Sequence, residues 1–501
     1  MAAASAPETS PPAGLHGTRG TPSTPGPHDA PGGLPRGLMP VLLAGVFLAA
    51  LDTAIVAPAL PALRAEFQLA QREVGLVMIV FILFSLPATA LMANLGDRHG
   101  RRPVFLACIG LFALGSLVIA LSNSFWMLLL GRAIQGIGAG GIVPTVSALI
   151  GDAYPPQERG RKLGLVGAMY GMAFVLGPPL ATLVMLAASW HWIFLANLPV
   201  AVLVLWLGRR ALPATRREGP LPPLDVAGIA LVFVGLAALV LGITRVADGR
   251  DALAGAVLWP WLLAAALALL PLLVVVERRV ARAGGLPMIP VNLFARRQLR
   301  LAYVLTVGAG FGMGSVVFLA SLATLAYGVT PAHAGFVLLP LVLASMLGSA
   351  GSGRLLHRLG VRSVVVAGFV LLALGYAGTA VIGAGLTGFL LASVPVGLGV
   401  GVVVGGALRT VAIDESPPAQ RGAAQGLVNV FTSVGTLLSS AAIGALADFA
   451  GAGAGAGGEA DASGFAVAYA VVALLMAAMV LLALALRSGA AAVGTPAQAS
   501  G

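Results

Sequence analysis

The sequence predicts an all-α integral membrane protein with fourteen transmembrane helices, built as two six-helix halves plus two inserted helices. Composition is the first reason. The 501 residues are 58% hydrophobic and 9% charged, with 67 Gly and 33 Pro. Soluble domains carry about 25% charge, and membrane helices accept Gly and Pro that soluble ones avoid. A duplication is the second reason. The charged turn Asp97-Arg98-His99-Gly100-Arg101-Arg102 returns 260 positions on as His357-Arg358-Leu359-Gly360-Val361-Arg362, so that Arg98, Gly100 and Arg102 fall on Arg358, Gly360 and Arg362. Pro155-Pro156-Gln157-Glu158-Arg159-Gly160 is echoed likewise by Pro417-Pro418-Ala419-Gln420-Arg421-Gly422. Charged turns repeated in an apolar chain mark parallel halves that rock around a central site. The third reason is a set of long runs without Asp, Glu, Lys or Arg, at 103–131, 163–208, 301–353 and 363–408.

One span needs about 20 apolar residues, so the last three runs each hold two. Ser189-Trp190-His191, Thr330-Pro331 and Gly383-Ala384-Gly385 divide them. The first half (38–208) then contains helices near 38–62, 73–93, 103–121, 125–151, 162–186 and 192–208. The linker 209–299 carries the inserted pair, 226–244 and 258–277. The second half (300–486) contains 300–326, 334–353, 363–383, 387–410, 422–447 and 465–486. Residues 1–37, rich in Pro, Gly, Ser and Thr, read as a disordered tail without the apolar run of a signal peptide. Residues 448–464 read as a flexible Ala-Gly loop and 487–501 as a short tail.

With both termini cytoplasmic, 23 of the 29 Lys and Arg lie on the inside, as the positive-inside rule requires. The net charge of +11 is therefore topogenic, and no nucleic acid is expected. Arg outnumbers Lys 28 to 1, which points to a GC-rich bacterial genome and a multi-pass protein of the inner (plasma) membrane. The single Cys108 permits no internal disulfide, and the six His show no metal-ligand spacing. No Ser-His-Asp set, phosphate-binding loop or catalytic carboxylate pair is present, so an enzyme or an ATP-driven pump lacks its parts.

Several ordered motifs resemble the major facilitator superfamily, in its fourteen-helix drug:proton antiporter group. They are Leu51-Asp52-Thr53-Ala54-Ile55-Val56-Ala57-Pro58-Ala59-Leu60-Pro61 in helix 1 and Leu95-Gly96-Asp97-Arg98-His99-Gly100-Arg101-Arg102 after helix 2. Arg132-Ala133-Ile134-Gln135-Gly136 lies in helix 4, Trp190-His191-Trp192-Ile193-Phe194-Leu195-Ala196-Asn197-Leu198-Pro199 opens helix 6, and Pro287-Met288-Ile289-Pro290 precedes helix 9. The helix 5 antiporter motif keeps Gly164, Gly177 and Pro178 but has Ala173, Ala181 and Thr182 where Gly is usual. The resemblance implies the major facilitator fold and proton-driven efflux of small amphipathic drugs or antibiotics. A metabolite exporter or solute:proton symporter is the alternative. The expected partners are substrate, protons and the lipid bilayer, with the chain a monomer and the proton gradient replacing any cofactor.

Asp52 is the one acid deep in a predicted span, where a charge costs about 2.5–3.5 kcal/mol on insertion scales. A carboxyl there can carry a proton across and release it when water reaches it from the other side; a permanent ion pair is the competing reading. Arg132, with Gln135 and Gly136 on the same helical face, is assigned by the resemblance to proton coupling. Asp97, Arg98, Gly100, Arg101 and Arg102, with Arg358 and Arg362, are expected to form a cytoplasmic gate of ion pairs on a tight turn. Gly177-Pro178-Pro179 is expected to interrupt helix 5. Gln135, Tyr170, Phe174, Phe311, Arg409 and Phe431 are candidates for a cavity wall.

Overall fold

The computed structural model describes residues 37–154, 156–213, 225–246, 258–285, 287, 291–416, 421–451 and 458–487. Among these, thirteen helices are long and apolar enough to cross a bilayer. In the first half they are α1 (Leu38–Phe67), α2 (Gln71–His99), α3 (Arg101–Ala120), α4 (Phe125–Ala153) and α6 (His191–Ala211). The inserted pair is α7 (Val226–Val246) and α8 (Leu258–Arg282). The second half supplies α9 (Arg297–Tyr327), α10 (Pro331–Leu356), α11 (Arg358–Ala380), α12 (Ile382–Val402), α13 (Arg421–Gly451) and α14 (Gly458–Ala483). The fifth place in the order is filled by α5 (Pro156–Ala187), whose apolar part is Val175–Ala187. The tails and residues 452–457 lie outside the described residues, whereas 448–451 and 458–464 of the expected loop are helical, as ends of α13 and α14.

Local chemistry sets the ends. Gln68 closes α1 in the left-handed conformation at φ 53°, its N–H returning to the Arg64 carbonyl. The Glu73 carboxylate accepts from the Ala70 N–H at 2.9 Å to start α2, Ser124 caps α4 through Met127 N–H at 3.3 Å, and Asp225 caps α7 through Gly228 N–H at 2.7 Å. Helices outrun their apolar segments, because charged residues in the headgroup zone extend a helix at little cost. Asp97 and Arg98 therefore belong to the last turn of α2 rather than to a loop. The turn itself is Gly100, at φ 95° and ψ 146°. Gly360, its repeat, breaks α10 from α11 at φ 76° and ψ 162°. The duplication seen in sequence thus recurs as one backbone conformation that favours glycine. Pro178 and Pro179, by contrast, lie inside a continuous α5. The expected interruption does not occur, since membrane helices tolerate Pro where neighbouring groups re-satisfy the freed carbonyls.

The face holding the start of α1 and the turns at Gly100 and Gly360 is called here the basic face. Toward the opposite face one apolar core unites both halves, joining Ile55–Leu63, Val74, Val77 and Trp190 to Leu305, Phe318–Ala323 and Leu338. Close backbone approach seals this closure. A Cβ on Gly335 would lie 2.3 Å from the Pro178 carbonyl oxygen, and one on Gly75 2.7 Å from that of Ser440. The Arg72 N–H also donates to Asp448 at 3.0 Å. Toward the basic face the halves keep separate cores, Leu38–Ala49 with Phe105, Phe112 and Leu149 in one and Leu299, Tyr303, Ala412 and Leu427 in the other. The described apolar contact between the halves thus lies toward the opposite face, and toward the basic face each half packs on its own core. The inserted α7 bridges α2 and α13 through Ile82, Leu86, Val240 and Leu437. Outside it, the apolar window of α8 is only 6% buried, against 72% for α9, so α8 is a lipid-facing strut.

Candidate functional site

The polar residues of the first half meet at one point. Asp52 (α1), Ser116 (α3), Arg132 and Gln135 (α4) each have no exposure, and Asn197 (α6) has 3%. Arg132 Nη1 donates to Asp52 Oδ2 at 2.8 Å and to Gln135 Oε1 at 2.6 Å. Gln135 Nε2 donates to Asp52 Oδ1 at 2.8 Å and to Ser116 Oγ at 2.9 Å. Asn197 Nδ2 donates to Asp52 Oδ1 at 3.1 Å and to Ser116 Oγ at 3.3 Å. From α2, the Val77 carbonyl accepts from Arg132 Nε at 3.1 Å, and the Phe81 ring lies 4.2 Å under the guanidinium. Every group facing the carboxylate is thus a donor, so the site is built for the anion. Breaking such a buried pair by removing one partner costs about 3–5 kcal/mol.

This places the two proton-coupling candidates in direct contact. Gln135, expected at a cavity wall, is instead fully buried in the charge cluster, because Arg132 and Asp52 both bond to its amide. Ser116 and Asn197 had no role assigned from sequence. Asn197 lies within the helix 6 motif Trp190–Pro199, and Ser116 carries only the weak signal of a hydroxyl in an apolar span.

The gate residues act within their own half here. Arg101 forms an ion pair with Asp152 and donates to the Ala148 carbonyl, both on α4. Arg102 donates to the Arg209 carbonyl at the end of α6. Through these contacts Arg101 and Arg102 staple the start of α3 to its neighbours in the first half. Arg98 and Arg358 are exposed and Arg362 is half-buried, while the side chain of Asp97 lies outside the described residues. The same holds for the side chains of Tyr170 and Phe174 and for the surroundings of Gly164. Gly177 and Pro178 are buried, with Gly177 against Ala54 of α1.

Of the remaining wall candidates, Phe431 stacks with Phe294 and Tyr303 at centroid distances of 5.9 and 5.3 Å. Phe311 is half-buried against the shared core. Arg409 is exposed and donates to Asn429 of α13 at 2.9 Å. It follows a π-helical turn, Val403–Ala407, in which Gly406 adopts φ 157°; such turns recur at functional sites. Asn429 is exposed and shares a helical face with Ser433 and Ser440, and Ser440 meets α2. No group of three or more His, Cys, Asp or Glu able to hold a metal occurs among the described residues.

Two half-bundles related by a repeated turn, one of them holding a buried ion pair, have the form of a secondary transporter. The chain belongs to the Major Facilitator Superfamily, whose family profile matches residues 42–297 and 302–500. It is 33% identical over 408 residues to the MFS-type transporter YfiU of Bacillus subtilis, covering 79% of this chain and 76% of that one. It is 26% identical to the multidrug transporter protein MdtP of the same organism, covering 81% and 74%. Among solved structures it matches a bacterial homologue of the human lysosomal transporter Spinster with a TM-score of 0.64 at 16% identity, over 89% of this chain and 95% of that one. Proteins of this family are transporters and not enzymes.

Proposed function

We propose that the chain is a proton-driven exporter of small amphipathic compounds, such as hydrophobic antibiotics or dyes, which works by alternating access in the bacterial inner membrane. In this reading the basic face and both termini are cytoplasmic, in line with the cation bias. The observation that carries it is the Asp52–Arg132 pair, without solvent exposure, in a bundle whose halves pack on separate cores toward that face. With the bundle open to the cytoplasm, Asp52 is held as the anion, and cargo can enter. Once the bundle opens to the outside, an external proton neutralises Asp52 and cancels its attraction to Arg132. The return step delivers that proton to the cytoplasm. The energies are commensurate, because one charge crossing 100 mV is worth about 2.3 kcal/mol, close to the cost of breaking a buried pair. A relative named as an efflux pump, dotC of Dothistroma septosporum, supports this direction.

Asp52→Asn tests it. Asn matches the shape of the carboxylate but cannot carry a proton. In everted vesicles with Nile red as probe, the variant should lose uphill transport and keep downhill counterflow. Normal uphill transport by a folded Asp52→Asn protein would move the coupling role elsewhere.

A further inference from the structure

The segment Trp190–Pro199 has no part in the cycle above, yet it ends at the proton site. Trp190 Nε1 donates to Glu66, tying the start of α6 to the end of α1. Within α6 a single turn residue, Ala196, separates His191–Leu195 from Asn197–Ala211. Pro199 has no N–H to offer the Leu195 carbonyl. Asn197 lies in this weakened turn and reaches Asp52 and Ser116.

A neutral carboxyl has a hydrogen to donate and requires an acceptor, but the cluster offers Asp52 only donors. An amide that turns over can supply one. Gln135 is not free to do so, since Arg132 donates to its Oε1 at 2.6 Å and a turned amide would set NH2 against the guanidinium. Asn197 has no such brace. Its partners are the carboxylate itself and the hydroxyl of Ser116, which donates as readily as it accepts. Turned over, Asn197 Oδ1 would accept both the Asp52 O–H and the Ser116 O–H, with no other member displaced.

We infer that Asn197 is the positioning residue that lets Asp52 hold a proton, by presenting its amino group to the anion and its carbonyl to the neutral acid. The inference rests on the proton-coupling reading of Asp52. The proton comes from external water to a lone pair of Oδ1 and leaves to cytoplasmic water; the only bond made and broken is that O–H. Arg132 keeps its charge and its bonds to Gln135 and Val77. Among the described residues Arg132 is the one charged group facing the carboxylate. α2 offers the Val77 carbonyl, the Met78 sulfur and the Phe81 ring, α3 offers Ser116, and α5 meets α1 at Gly177.

The test compares Asn197→Leu and Asn197→Asp in everted vesicles, with Nile red as probe and Asp52→Asn as control. Asn197→Leu can neither donate nor accept. It should lose at least tenfold in uphill efflux at every pH and keep counterflow within about twofold. Asn197→Asp mimics the amide only while protonated, since its anion would face that of Asp52. Its uphill efflux should be confined to the acid end of the pH profile and fall as pH rises. A wild-type profile in either variant, or equal loss of uphill efflux and counterflow in a folded Asn197→Leu, overturns the inference. If Asn197→Leu does not fold, the Asn197→Asp profile decides. Normal uphill efflux by Asp52→Asn would instead strike the proton-coupling reading itself.

Discussion

Replacing Arg132 separates its charge from its hydrogen bonds. Arg132→Ala leaves Asp52 buried without a cation, at a cost of about 3–5 kcal/mol, and thermal unfolding in detergent should shift down by several degrees. The added Asp52→Asn substitution removes the orphaned charge and should recover part of that loss; a double variant no more stable than Arg132→Ala would show that the pair does not set stability. Arg132→Lys keeps the charge but cannot reach Asp52, Gln135 and Val77 together, so uphill transport should fall more than stability does. Arg409 governs a different property. Because Asp52 is committed to Arg132, its carboxylate is not spare for a multivalent cation. The exposed Arg409 stands instead beside Asn429. Neutral dyes should be exported in preference to divalent cationic biocides, and Arg409→Glu should narrow that gap. An unchanged preference ratio across a compound panel would detach cargo charge from this residue.

At the scale of elements, closure depends on helices that touch through backbone. Gly335 meets Pro178 and Thr182 of α5 with no space for a side chain. Gly335→Val should therefore hold α10 away from α5 and favour the state opened at the opposite face. A cysteine placed at exposed Asn429 reports on this: labelling by an impermeant maleimide from the basic side should slow several-fold once Gly335→Val is added. Equal labelling would mean that this contact does not decide which face is closed.

For the whole molecule, the cation bias predicts reporter fusions at both ends to be cytoplasmic and a fusion within 452–457 to be external. Termini found on opposite faces would break the fourteen-helix order. The inserted α7 and α8 hold the seam between α2 and α13 on one flank only. On the other flank α5 meets α10 by direct helix contact at Gly335.

The sequence by itself showed the helix order, the duplication and the polar residues Asp52, Arg132 and Gln135 within apolar spans. Each depends on short-range physics. Charge is excluded from a bilayer core over about twenty residues, and a repeated turn such as Gly100 and Gly360 needs only local geometry. The tertiary structure alone decided which groups share a hydrogen bond. Ser116 and Asn197 lie 19 and 62 positions from Gln135 in the chain, and no periodicity links α3 and α6 to Asp52. It also decided that Arg101 pairs with Asp152 within its own half, and that Gln135 is locked in the charge cluster rather than exposed to cargo. A pattern along one helix shows which face is polar. What that face meets depends on how four helices pack at once.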